Sequence, residues 1–287
     1  MKTKYLITIL IISFFSALSA QNIKGNKELV TRSIEIDTFK IINVSQNFEV
    51  VLMKQDKPSV SIETDSNLQE FITAEVKDHV LTVASTIDLN KFKELIVTIG
   101  YNDLLKEVNV AGKVKLQGSV NLKNKKLSLN LKENTKTALD IEARYLNLKT
   151  YDKAKLEVAT ATDTINLIGK SSSHIELKTN TTVDLFDVNL EENSKARIAG
   201  SSNKTRYLLV KDSKVKAGEL NSGITKIESK DNSKAYIYTA DKLEINVAGK
   251  SETYIIGNAQ ITIKAFKDEA KLQKMKKAPA DTFGKLF

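Results

Sequence analysis

The sequence contains NSKARI at Asn193–Ile198, DSKVKA at Asp212–Ala217 and NSKAYI at Asn232–Ile237, three phrases that share one pattern. Five further copies have a similar outline: AGKVKL at Ala111–Leu116, NTKTAL at Asn134–Leu139, YDKAKL at Tyr151–Leu156, KSSSHI at Lys170–Ile175 and GKSETY at Gly249–Tyr254. The third residues of the eight copies, from Lys113 to Ser251, follow one another at an average spacing of just under 20 residues. A short fixed period is typical of chains that stack coil on coil rather than pack around one central core.

Each repeat also carries two short runs in which apolar and polar residues alternate, as in Leu127, Leu129 and Leu131 followed by Leu139 and Ile141. Alternation of this kind indicates half-buried β-strands. We therefore predict an all-β fold, a parallel β-helix-like solenoid with short coils of about 20 residues. An antiparallel sandwich would also give alternation, but it offers no reason for the phrase to recur in one register.

The repeats divide the chain into five segments. Residues 36–105 read as N-terminal strands, with an apolar face at Phe48, Val50 and Leu52 and a tight turn at Gln55–Pro58, and we expect them to form or cap the first coils. The predicted boundaries are 1–20 for a signal peptide, 21–35 for an extension, 36–105 for the N-terminal β segment, 106–263 for the repeats and 264–287 for a basic tail.

The first 20 residues have the features of a secretion signal. Lys2 and Lys4 precede an apolar run from Tyr5 to Phe15, and small residues at Ala17–Ala20 offer a cleavage site before Gln21. The run is short for a membrane span. The sequence contains no cysteine, which excludes disulfides, a cysteine nucleophile and the acylated cysteine of a lipoprotein. We predict an exported protein of the periplasm, cell surface or medium, with no transmembrane segment in the mature chain.

Much of the formal net charge of +9 lies in the tail, where seven lysines from Lys264 onward face only Asp268, Glu269 and Asp281. The high isoelectric point is therefore no argument for a nucleic-acid partner. Apolar residues at helical spacing, including Phe266 and Ala270, predict that the tail is either disordered or a short helix capping the open coil.

The opening FKIINVSQNFEVVLMKQDKPSVSIETDSNLQEFITAEVKDHVLTV, together with the repeats, resembles the exported Bacteroidetes family of autotransporter adhesins with a head GIN domain. The resemblance covers about residues 36 to 257 and implies a right-handed β-helix-like solenoid with an adhesive role. The chain departs from the family at Gln46-Asn47-Phe48, where paired glycines are common. It also has lysine in the repeats where the family commonly has aspartate, so a site built on those aspartates is not expected here.

The lysines of the repeats are the strongest candidate for a binding surface. Residues two apart on a strand share a face, so stacked coils would align these side chains as a basic ridge for an anionic glycan or a surface protein. The alternative is that exposed lysines merely keep the turns soluble, neutralised by the acids Glu133, Asp152, Glu192, Asp212 and Asp231. The candidate residues are Lys113, Lys115, Lys136, Lys153, Lys155, Lys195, Arg197, Lys214, Lys216 and Lys234.

No motif predicts catalysis, a metal site or a cofactor, and the two histidines, His79 and His174, are far apart in sequence. We predict a non-enzymatic, adhesin-like binding or scaffold protein whose partner is an envelope glycan, a surface protein or another copy of itself. One alternative is a polysaccharide lyase or hydrolase, since β-helices host such enzymes; short coils and the absence of tryptophan argue against it. Another is a structural protein of the periplasm.

Overall fold

Strands dominate the residues that this computed structural model describes, 23–118 and 122–277. The described residues also contain a short 3-10 helix, Ser66–Phe71. The strands are β1 (Leu29–Glu35), β2 (Ile41–Val44), β3 (Glu49–Lys54), β4 (Ser59–Asp65), β5 (Ile72–Lys77), β6 (Val80–Ser85), β7 (Leu95–Tyr101), β8 (Glu107–Val110), β9 (Lys115–Gly118), β10 (Leu122–Leu131), β11 (Lys136–Thr150), β12 (Lys155–Gly169), β13 (His174–Leu190), β14 (Lys195–Leu209), β15 (Lys214–Ser229), β16 (Lys234–Val247), β17 (Glu252–Ile256), β18 (Gln260–Phe266) and β19 (Lys271–Lys274).

The strands stack in parallel as a β-solenoid of about nine turns with coils of about 19 residues, which confirms the predicted fold class. Most long strands bend and contribute to two sheets. For example, β12 pairs with β13 over Lys155–Thr160 and again over Thr164–Gly169, with a register shift between the two stretches. The first sheet contains β9, the first halves of β11 to β16, then β17 and β19. The second sheet contains β8, the second halves of β10 to β16, and β18.

The core is a column of apolar side chains that runs along the stack between the two sheets. In the second sheet, Leu148, Leu167, Val188 and Tyr207 are register partners on four successive coils, and each is at most 3% exposed. Because each coil buries its apolar face only against its neighbours, stability resides in the contacts between adjacent coils.

The coils are joined by tight turns whose first residue has a left-handed backbone. This conformation favours Gly, Asn and Asp, and the sequence predicts it from those residue types. The structure also places glutamate and lysine there, which composition does not predict. The residues are Gly112, Glu133, Asp152, Ser171, Glu192, Lys211, Asp231, Gly249 and Asp268, with φ between 51° and 89°.

At the N-terminal end, the order of coils in space differs from their order in sequence. The coil formed by β2 and β3 lies between β6–β7 on one side and β8–β9 on the other. Beyond it, β4 pairs antiparallel with β7, β1 with β4, and β5 with β6. The N-terminal strands therefore both form the first coils and cap them, and the parallel stack begins before residue 106.

At the C-terminal end, the prediction of a disordered or helical tail over 264–287 is wrong for the described part. β18 pairs with β16 and β19 with β17, so the stack continues to Lys274. The reason lies in the alternation of Ala270 and Leu272 with polar neighbours, and in Asp268, whose φ of 61° repeats the turn of the earlier coils. The predicted signal peptide and residues 278–287 lie outside the described residues. Within those residues, no helix has the length and apolar character needed to cross a membrane.

Gly112 is a turn residue at which we expect a side chain to be strongly unfavourable. Its φ is 89°, and an added Cβ would lie 2.3 Å from the carbonyl oxygen of Gln46 in the neighbouring coil. Gly112→Ala should therefore lower the free energy of unfolding by about 1–3 kcal/mol, measured by chemical denaturation. Gly223→Ala is the control, because Gly223 lacks a left-handed backbone and its added Cβ would lie 3.1 Å from the nearest atom. Equal effects at the two positions would contradict the prediction.

Candidate functional site: a column of lysines on the first sheet

Six of the predicted residues occupy equivalent positions on six coils of the first sheet. Lys136 is the register partner of both Lys115 and Lys155, and Lys214 is the partner of both Lys195 and Lys234. His174 joins the two groups as the partner of Lys155 and Lys195. Neighbouring strands lie about 4.8 Å apart, so these side chains form one line along the stack. We call Lys115, Lys136, Lys155, His174, Lys195, Lys214 and Lys234 the lysine column.

The remaining four predicted residues lie beside this column. Lys113 and Lys153 precede the strands by two residues, in the turns, and are therefore not equivalent to Lys136 or Lys195. Arg197 and Lys216 are register partners of each other, two residues beyond the column. The structure thus brings six of the ten candidate residues into one line and places the other four beside it. The repeat phrases were aligned two residues out of register in three copies, because these copies carry charged or polar residues at both candidate positions.

A buried residue immediately before each column member would have revealed the register. These residues point inward at the start of each first-sheet strand, and none is exposed. They are small or β-branched because the chain has just turned and little space remains inside. They are Val114, Thr135, Ala154, Ser173, Ser194, Ser213 and Ser233.

Glutamates flank the two ends of the column. Lys115 pairs with Glu49 at 3.5 Å, and Lys234 pairs with Glu252 at 2.5 Å. The Lys234 ammonium, helped by the Tyr254 hydroxyl, holds the pKa of the Glu252 carboxyl below its ordinary value. Lys271, on the next coil, lies 3.6 Å from the same carboxylate. The ends of the column are therefore neutralised.

The lysines in the middle of the column differ from those at its ends in their ion-pair partners. Among the described residues, Lys136, Lys155 and Lys195 have no carboxylate within the 4 Å of an ion pair. Of the five turn acids that the sequence offered as local neutralisers, Glu192, Asp212 and Asp231 contact other groups. Glu192 accepts hydrogen bonds from the Ser171 hydroxyl at 2.9 Å and from the Lys211 ammonium at 3.2 Å. The centre of the column therefore carries cations without ion-pair partners.

Two more turn contacts involve acids near the column. Asp231 accepts a hydrogen bond from the backbone N–H of Lys211 at 3.0 Å, and Asp212 accepts one from the Asn232 side chain at 2.9 Å. These bonds join one turn to the turn of the next coil. Glu192, Asp212 and Asp231 thus stabilise the corner of the solenoid.

His174 interrupts the line of cations with a weaker base. Burial lowers the pKa of its imidazole, and the adjacent Lys195 and Lys155 lower it further, against the opposing effect of its hydrogen-bonding contact with the Ser172 carbonyl oxygen. At neutral pH we therefore expect a neutral imidazole here, which reduces the repulsion between the lysines on either side.

Next to the column, the C-terminal coils carry an aromatic pair that the sequence did not single out. The Tyr236 and Tyr254 rings stack with centroids 4.7 Å apart and planes 7° apart. The Lys214 ammonium lies 5.7 Å from the Tyr236 centroid, and that of Lys234 lies 5.4 Å from the Tyr254 centroid. Because cations are attracted to aromatic faces, the side chains of Lys214 and Lys234 each extend toward a tyrosine ring on the next coil.

Over residues 23–118 and 122–277, the outer face of the second sheet has no comparable line of cations. Arg206 lies 3.6 Å from Asp187, and Lys226 lies 2.9 Å from Glu244. Its N-terminal part carries asparagines that hydrogen-bond from coil to coil, as at Asn109–Asn43 and Asn130–Asn109. This face is therefore close to neutral, and the lysine column is particular to the first sheet.

An open depression of about 1310 Å³ lies where the strands bend between the sheets. Four of its charged groups form two ion pairs, Lys123 with Glu142 at 2.8 Å and Arg144 with Asp163 at 3.5 Å. In the described part of the chain, no three His, Asp or Glu side chains come together to hold a metal.

These features define the class of protein as a parallel β-solenoid with a column of lysines on the outer face of one sheet. The chain belongs to the family described as "Putative auto-transporter adhesin, head GIN domain", whose profile matches residues 38–185 and 159–259. A comparison with curated protein sequences gives no significant match.

Solved structures share the fold. A "putative adhesin" from Parabacteroides merdae has a TM-score of 0.67 and 21% identity, covering 88% of this chain and 99% of that one. A "putative adhesin" from Parabacteroides distasonis has the same TM-score and coverage at 19% identity. A "putative lipid binding protein" from the same organism has a TM-score of 0.58 at 19% identity, again covering 88% and 99%.

Proposed function

We propose that this protein is an exported, non-enzymatic, adhesin-like binding protein that holds an extended anionic polymer along its lysine column. The observation that carries the proposal is the alignment of Lys136, Lys155 and Lys195 in one line without ion-pair partners among the described residues. The family to which the chain belongs supports the adhesin-like role.

The electrostatics of the column favour a polymer over a single anion. Two like charges about 4.8 Å apart repel by about 0.9 kcal/mol in water, so an empty column is tolerable. One exposed ion pair contributes only about 0.2–1 kcal/mol. A polymer that contacts several coils adds these weak contributions, because every contact after the first is intramolecular.

An acidic polysaccharide fits the lysine column better than an anionic lipid surface does. The column members are polar, and most of their neighbours two residues on are polar or charged, such as Gln117, Glu157 and Arg197. A surface that binds membranes usually adds apolar side chains that enter the interface. The structural relative named as a lipid-binding protein makes anionic vesicles a necessary arm of the test.

The ion-paired carboxylates in the depression at the bend support a role without catalysis. Glu142 and Asp163 each pair with an exposed cation, whereas glycoside hydrolysis needs two carboxylates that face the sugar. The sequence features of a secretion signal at residues 1–20 support export, and with it a partner in the envelope or outside the cell.

The proposal is tested by measuring retention of three probes on the immobilised mature protein: polygalacturonate, neutral dextran, and vesicles containing an anionic phospholipid. We expect polygalacturonate to be retained at low salt and released at about 1 M salt, where the Debye length falls to about 3 Å. Retention of dextran, or retention that salt does not change, would contradict the proposed electrostatic mode. Stronger retention of vesicles than of polygalacturonate would contradict the polysaccharide, and the appearance of new reducing or unsaturated ends would contradict the non-enzymatic role.

A further inference from the structure

The lysine column contains one residue whose charge changes near neutral pH. His174 is the register partner of Lys155 on one side and of Lys195 on the other, so it occupies the middle of the line. Lysine stays cationic throughout the neutral range, whereas an unperturbed imidazole loses its proton at a pKa of about 6.5. The protonation state of His174 therefore decides whether the line of cations is interrupted at its centre or continuous.

A hydrogen bond of the His174 ring determines which nitrogen takes up the proton. Nδ1 lies 3.1 Å from the carbonyl oxygen of Ser172. Because a carbonyl oxygen only accepts, Nδ1 carries the hydrogen in the neutral ring and donates it to this bond, while Nε2 keeps its lone pair. Protonation at Nε2 preserves the bond to Ser172 and adds a second N–H donor. The ring thus becomes a cation while keeping the contact that holds it.

The groups around His174 favour the neutral imidazole. Burial lowers its pKa most, and Lys195 and Lys155 lower it further, against the opposing effect of the Ser172 carbonyl oxygen. Proton uptake therefore falls below pH 6.5, the ordinary value. The other charged groups on this side lie two residues further along β12 to β14 or in the adjacent turns, and they are Glu157, Glu176, Arg197, Asp152, Lys153, Lys170, Glu191 and Glu192.

Several of these more distant groups are already engaged with one another or with other coils. Arg197 pairs with Glu219 at 3.2 Å, and Lys170 pairs with Glu191 at 3.1 Å. Glu192 contacts the Lys211 ammonium at 3.2 Å. The two lysines on either side of His174 are therefore the charges that oppose its protonation most directly.

An anionic polymer laid along the column would reverse this balance. Lys155 and Lys195 have no ion-pair partner among the described residues, so anionic groups bound to them would lie beside His174 as well. A neighbouring anion favours the protonated imidazole. Because binding and protonation are linked, a polymer that favours the imidazolium must bind more tightly once His174 is protonated.

We propose that His174 makes the lysine column a pH-sensitive binding surface, which becomes a continuous line of cations in mildly acidic surroundings and then holds an acidic polysaccharide more tightly. This inference rests on the proposed function and adds its regulation. One additional exposed charge contact strengthens binding by about two- to fivefold. The gain should appear as the pH falls from about 7.5 to about 5, since His174 is neutral at the first value and gains its proton toward the second.

The test measures the affinity of the mature protein for dextran sulfate at these two pH values by isothermal titration calorimetry. The sulfates of this probe stay ionised throughout, so only the protein titrates. The wild type should bind about two- to fivefold more tightly at the lower pH. H174Q should lack this increase, and H174K should bind at both pH values as tightly as the wild type at the lower one. H79Q is the matched control, because it removes the other histidine of the sequence and should keep the full increase.

The outcomes separate this inference from the proposed function. An equal increase in the wild type and in H174Q would overturn the role of His174. If K136S/K155S/K195S loses binding while the wild type binds equally at both pH values, the column binds the polymer and only the role of His174 fails. If that triple variant binds as tightly as the wild type, the proposed function fails, and the role of His174 fails with it.

A second measurement follows the imidazole itself. NMR titration of the ring protons, assigned with H174Q, should give a pKa of His174 below 6.5 in the free protein. Saturation with dextran sulfate should raise this pKa by about 0.3–0.7, the logarithm of the expected ratio of affinities. K155S/K195S should raise it without any polymer, because the two adjacent cations are gone, and K149S/K204S should not. A pKa that saturation with the polymer leaves unchanged would overturn the proposal.

Discussion

Replacing Lys136, Lys155 and Lys195 together by serine should weaken binding of an acidic polysaccharide by about tenfold to a hundredfold at low salt. The estimate assigns about 0.5–1 kcal/mol to each lost exposed contact, or about 1.5–3 kcal/mol for three. These three lysines lie at the centre of the column and form no ion pair within the described residues. Their replacement should therefore cost little stability. The measurement is a titration of the protein with polygalacturonate at several salt concentrations.

The control must remove the same charge from another surface. The triple variant K149S/K204S/K242S does so, since Lys149 lies on the second sheet and Lys204 and Lys242 lie at the bend between the sheets. If net charge alone governed binding, the two triple variants would lose affinity equally, and the column would have no special role. We expect the control to retain most of its affinity and a steep dependence on salt, while the column variant loses both.

The architecture was predictable because each coil carries the sequence signals that determine its own structure. The phrase repeats at the coil length, and each coil carries its own alternation and its own turn residue, such as Asp152 or Asp231. The N-terminal order was not predictable. Nothing in the sequence of β2 and β3 shows that β6 and β7 return to one side of them while β8 and β9 stack on the other.

The candidate site was predictable in composition but not in register. Lys113 and Lys115, like Lys153 and Lys155, are two residues apart, so either member suited the repeat. Only the buried residue before the strand, Ala154 for example, decides between them. The acidic ion-pair partners of these basic residues were harder to predict than the register. Arg197 pairs with Glu219 on the next coil at 3.2 Å, and such a pair can be recognised in the sequence only after the coils have been aligned.

Replacing Phe186 by alanine should lower the free energy of unfolding by about 3–5 kcal/mol, the cost of deleting a large buried aromatic side chain. Phe186 is fully buried in β13, and its register partners on the two adjacent coils are Ile165 and Thr205. The cavity would therefore weaken the contacts of one coil with both of its neighbours. Since a solenoid is held together only by such contacts between neighbours, the defect in the middle of the stack should also reduce the cooperativity of unfolding.

Chemical denaturation followed by circular dichroism measures both effects, the first as a lower midpoint and the second as a smaller slope. Tyr145→Ala is the control, because Tyr145 is 49% exposed at the bend and its replacement should cost less than about 1 kcal/mol. A cost below about 1 kcal/mol for Phe186→Ala would contradict a densely packed column. A broad transition in Phe186→Ala, alongside a sharp one in Tyr145→Ala, would show that the coils on either side of β13 unfold as separate units once their shared contact is lost.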